Sequence, residues 1–134
     1  MNWIRFALAV LAAGSVVSMT DWLFMGDLLY KRFDRNPEIW RFPGGEGESK
    51  AIAWSSPLPF VTCAVFDFPC IHLGLVSYRS TCEFAVALWL AAPVPMLIAN
   101  AIWMKLSALI AASYSVGWMV KLLVAGLSVA LILR

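Results

Sequence analysis

The chain has 134 residues, 62% hydrophobic and 13% charged, with a net charge of +2 at neutral pH and a mean hydropathy of +0.81. Soluble domains are nearer half apolar and a quarter charged, so a water-soluble fold would lack the polar residues to cover its surface. The length suits one domain, 1–134, and the charge is too small and too dispersed to suggest a nucleic-acid partner.

A membrane-spanning helix needs about 20 mainly apolar residues. The first stretch that qualifies is Trp3–Tyr30. It opens like a signal peptide, with a short basic region before an apolar run. The run continues to Leu29 without a small-x-small cleavage site, which argues for a retained first helix. Asp21 interrupts it within "GSVVSMTDWLFMG". Counting by three and four residues, Asp21 shares a face with Gly14, Ser18 and Met25. Small residues on one stripe allow helices to approach closely, so Asp21 is expected to point into a bundle. Asp27 is placed to pair with Lys31 one turn on.

The connection Lys31–Ser56 follows. Its "KRFDRNPEIWRF" mixes cations with Phe33, Ile39, Trp40 and Phe42, a pattern that suits an aromatic belt or a segment lying along anionic headgroups. Pro43–Ser49 reads as turn and linker, without the strand, lysine and hydroxyl of a phosphate loop.

Three further spans are predicted at Pro57–Tyr78, Glu83–Met104 and Leu106–Leu133, the last two joined by a minimal connection. Pro57, Pro59 and Pro69 bracket the second span. Pro93 and Pro95 fall inside the third and predict a kink, since proline removes a ladder donor and clashes with the preceding turn. The fold class is therefore all-α, a transmembrane four-helix bundle with antiparallel neighbours and proline-interrupted second and third helices. The side of the long loop carries Lys31, Arg32, Arg35, Arg41, Lys50 and Lys105, against Arg5, Arg79 and Arg134 on the other. This bias predicts a cytoplasmic loop and both termini outside.

Ionisable groups inside spans are costly and mark candidate sites. Counting 1.5 Å per residue from the long-loop side, Asp67 lies at about 15 Å, Lys121 at about 21 Å and Asp21 at about 10–13 Å. Depth thus pairs Asp67 with Lys121, with Asp21 nearby. Such a group serves either as a static ion pair that fixes helix register or as a proton or ligand site. A far-side polar cluster is expected from His72, Arg79 and Glu83, with Asn100 as an uncharged companion. On the last helix Tyr114, Gly117, Lys121, Ala125 and Ser128 form a stripe like that of Gly14 and Ser18, and the two stripes are expected to face one another or one cavity.

Cys63, Cys70 and Cys82 have no CxxC spacing and read as small core residues. His72 is the only histidine and makes no metal or haem site by itself. No hydrolase, zinc-protease or nucleotide-binding motif occurs, so no catalytic residues, no metal and no cofactor are expected. Most tryptophans fall near predicted interfaces. Trp22, Trp89 and Trp118 lie deeper, where they pack or line a pocket for a flat apolar ligand.

"GSVVSMTDWLFMG" together with "LWLAAPVPMLIANAIWMKLSALIAASYSVGWMVKLLVAGLSVALIL", about half the chain, resembles a family of small bacterial four-helix integral membrane proteins with a domain of unknown function. That family usually carries an aromatic pair in the first-helix patch, where Asp21 here precedes Trp22. The resemblance implies the four-span layout and a bacterial cytoplasmic membrane, and no site residues. Partners are then the lipid bilayer and another membrane protein or a second copy. The leading function is a non-enzymatic accessory subunit or homo-oligomer acting through helix packing. The alternatives are a small ion-coupled transporter using Asp21, Asp67 and Lys121, and a membrane enzyme acting on a lipid, sterol or quinone, with His72 and Glu83 as acid and base.

Overall fold

The computed structural model describes residues 2–24, 47–104 and 106–134. Asp27 and the basic–aromatic segment 31–42 lie outside these residues. The described chain is helical throughout its elements: α1 (Trp3–Asp21), α2 (Glu48–Ser55), α3 (Leu58–His72), α4 (Tyr78–Ala91), α5 (Pro93–Trp103) and α6 (Ala108–Ser128), closed by a π-helical turn Val129–Leu133. Four stretches, Trp3–Phe24, Ser49–His72, Tyr78–Trp103 and Ala108–Leu133, are each long and apolar enough to cross a membrane. The protein is a four-helix membrane bundle.

Helix ends follow local chemistry. Asn2 Oδ1 accepts from the backbone N–H groups of Ile4 and Arg5 at 3.1 and 3.3 Å, and Ser107 Oγ accepts from that of Ile110 at 3.3 Å. Ser77 and Ser80 cap α4 reciprocally, each accepting the other's N–H at 3.2 Å. These side chains satisfy N–H groups that have no partner within the helix. α3 ends where Gly74 takes φ +68°. The N–H of Leu75 then bonds the Cys70 carbonyl at 2.8 Å and that of Gly74 bonds Ile71 at 3.2 Å, a double closure that needs a left-handed residue.

The prolines act as breakers, but at particular registers. Pro57 caps α3, Pro59 lies in its first turn and Pro69 is inside it. The helical run nonetheless starts earlier than Pro57, because Glu48–Ser55 is helical and Gly47, at φ 90°, precedes it. It also ends at His72 rather than Tyr78, because Gly74 turns the chain. In the third span the break comes at Ala92 (φ −126°, ψ −68°), and Pro93 opens α5, where a missing N–H costs least.

The bundle is inverted relative to a soluble core. Small residues fill the interior (Ala9, Ala13, Cys63, Cys70, Ala85, Ala125), around Val17, Phe66, Leu122 and Val129. Large ones such as Ile4, Leu11, Val65, Leu90 and Leu131 face outward, where lipid suits them and close backbone approach is served by the small set inside. The last span is the hub: α6 contacts helices of all three other spans. Gly126 on α6 lies where a Cβ would sit 3.3 Å from the carbonyl oxygen of Thr81. Gly14 lies against the ring of Phe60, 2.8 Å from Cε1 to an added Cβ. Gly14→Val is therefore expected to lower stability by about 1–3 kcal/mol, the usual penalty for overpacking. Thermal unfolding of the protein in detergent checks this, and an unchanged midpoint would contradict the close α1–α3 approach.

Candidate functional site

The polar residues of the interior divide into a bonded pair and a solitary acid. Asp21 closes α1 and Lys121 lies on α6, about 20 Å along that helix from Ala108. Lys121 Nζ donates to Asp21 Oδ2 at 2.8 Å, with side chains 19% and 26% exposed. The same ammonium stands 4.9 Å from the Trp118 ring centroid, within the range in which a ring face attracts a cation. Ser18, one turn before Asp21, turns its hydroxyl back to the Gly14 carbonyl at 2.8 Å and leaves the carboxylate to the lysine. The pair thus ties the first span to the hub helix near the middle of its length.

Asp67 does not join it. The expected Asp67–Lys121 pair is replaced by Asp21–Lys121, since rotation about each helix axis, more than distance along it, selects the partner. A lysine's flexible four-carbon stem also spans several ångström of depth difference. Asp67 is 0% exposed and, among the described residues, neither of its carboxylate oxygens has a hydrogen-bond partner. Cys63 and Cys70, one turn before and one after it, are also fully buried. The other buried polar side chains among the described residues bond to nearby carbonyls: Thr81 donates to that of Ser77 at 2.9 Å and Ser128 to that of Ala125 at 2.8 Å.

The far-side cluster is dispersed. Arg79 Nε donates to Glu83 Oε1 at 2.7 Å along α4, with side chains 89% and 64% exposed. His72 instead places Nδ1 2.9 Å from the Phe68 carbonyl oxygen and its ring 4.1 Å from that of Phe68. No hydrogen bond or ion pair links His72 to Glu83, so the two are not poised as an acid–base couple. Asn100 is half-buried near the end of α5, at the opposite end of the third span from Arg79.

The two small-residue stripes are joined by the Asp21–Lys121 pair. Gly14 packs on α3 through Phe60, Ala125 is buried in the core, and nothing lies within 4 Å of a Cβ added at Gly117. Of the deeper tryptophans, Trp89 donates its indole N–H to the Ser115 carbonyl at 2.8 Å and so pins α4 to α6. Trp22 is exposed and lines an open apolar groove of about 420 Å³ with Ser18, Met19 and Leu23. Cys63, Cys70 and Cys82 are free thiols. Among the described residues no three His, Cys, Asp or Glu side chains converge on a point. The orphaned Asp67 is a feature that spacing alone did not single out, although its placement between Cys63 and Cys70 on one face was legible.

The chain matches no protein-family model, no curated protein and no solved structure.

Proposed function

We propose that this small integral membrane protein works without catalysis, by packing its helices against a second copy or another membrane protein. The observation that carries this is the position of the Asp21–Lys121 pair. It lies near mid-length of α6 and keeps a fifth to a quarter of each side chain uncovered. On the same stripe of α6, none of the described residues comes within 4 Å of a Cβ placed at Gly117. Charge turned toward hydrocarbon is expensive, while a bare glycine beside a polar pair allows another helix to come close and cover it. The four spans themselves enclose little volume for chemistry.

Native mass spectrometry of the protein, extracted gently from its own membrane, tests the proposal. A homo-oligomer or a stoichiometric partner is expected, together with its loss in Gly117→Leu while the monomer stays folded by circular dichroism. A lone monomer, with that flank filled by the chain itself, would overturn it. So would an assembly that Gly117→Leu leaves intact.

A further inference from the structure

Asp67 is a buried acid that packing alone does not account for. A carboxylate inside an apolar interior is tolerated when a counter-charge or several donors support it. Among the described residues neither is present: both oxygens lack partners and the side chain is fully enclosed. Among the described residues, none of the charged or titratable groups on the surrounding helices hydrogen-bonds to it. On α1 these are Arg5, which is exposed, and Asp21. On α6 they are Lys121, bound to Asp21, and Tyr114, half-buried. On α4 they are Tyr78, Cys82 and the exposed Arg79–Glu83 pair. On α3 itself they are Cys63, Cys70 and His72, the last turned back on the Phe68 carbonyl.

What neutralises such a group must fit without room or ligands. A sodium, potassium or calcium ion requires a shell of oxygens, and the side chains one turn away on the same face are thiols. The buried hydroxyls of Thr81 and Ser128 donate to their own helices. A proton needs one lone pair and no added volume. We propose that Asp67 is a proton-binding site: its carboxylate takes up one proton from the aqueous phase to form the acid and returns it on release, with no other bond made or broken. Proton occupancy then sets the charge within the buried interior of the bundle, and couples its packing to pH. The inference stands whether the protein acts alone or in an assembly.

The test is infrared spectroscopy of the full chain in phosphatidylcholine nanodiscs, scanned from acid to alkaline pH. The readout is the carbonyl stretch of a buried carboxylic acid and its shift in heavy water. The band is expected in the native protein, is lost reversibly as the pH is raised, and is absent from Asp67→Asn. Asp21→Asn, which removes the acid already bonded to Lys121, should leave it in place. Should Asp67→Asn fail to fold, Asp67→Glu serves instead, and must show the band at a shifted frequency. A native protein without the band overturns the proposal, as does a band that survives in Asp67→Asn or moves in neither frequency nor titration in Asp67→Glu. A band that persists to the alkaline limit of the folded protein also overturns it, because Asp67 would then be a fixed acid that exchanges no proton.

Discussion

Replacing Lys121 with methionine is expected to destabilise the bundle by about 3–5 kcal/mol, and replacing Lys121 and Asp21 together by much less. The asymmetry follows from what each variant leaves behind. Lys121→Met strands the Asp21 carboxylate among apolar helices with no cation at 2.8 Å, and removes the ammonium above Trp118. Lys121→Met with Asp21→Asn removes both charges, so no ion is left without a partner. The coupling is measured by a double-mutant cycle, with unfolding followed in mixed micelles. A second cycle between Lys121→Met and Asp67→Asn supplies the control. Those two changes should add to within about 0.3–0.5 kcal/mol, as for sites that share no partner. Strong coupling in the second cycle, with none in the first, would show that Lys121 serves Asp67 in the membrane.

Asp67→Val carries the opposite sign. A buried polar group without hydrogen bonds costs about 1–3 kcal/mol, and valine removes both oxygens while nearly keeping the volume. The variant is therefore expected to be more stable than the native protein by about that amount. Few substitutions of a fully buried residue stabilise, since most lose packing. A gain here would mark Asp67 as a residue kept at the expense of stability, as functional groups often are. The same unfolding measurement decides it, and a loss of stability would mean that the carboxyl group finds a partner in the bilayer. The result also bears on the infrared test, because Asp67→Val should lack the carboxylic-acid band while folding well.

The sequence by itself determined the class of the protein. Hydropathy and length are properties of the chain, and the bilayer imposes one solution on apolar runs of this size, because each backbone group must be bonded within its own helix. The proline effects were legible for the same reason, since the missing N–H of Pro93 acts on its own turn, and the break at Ala92 lies next to it. The extension of the second helical run back to Glu48 was hidden. Its residues "ESKAIAWS" are only moderately apolar, and the glycines before them read as linker.

Side-chain partners were decided by the tertiary structure. Depth along a helix can be counted, but which of Asp21 and Asp67 meets Lys121 depends on how each helix is rotated and on which neighbours it has. The hub position of the last span sets both, and is a property of all four spans packed together. The same holds for the glycines: Gly14 and Gly117 look alike in the sequence, yet one receives Phe60 and the other has none of the described residues within 4 Å of an added Cβ. Pairwise contact between distant segments is a sum of many weak packing terms, none of which is written in a local pattern. The isolation of Asp67, on which the proton-binding proposal rests, is of this kind. It follows from where donors are absent, and that becomes visible only once every neighbouring side chain has been placed.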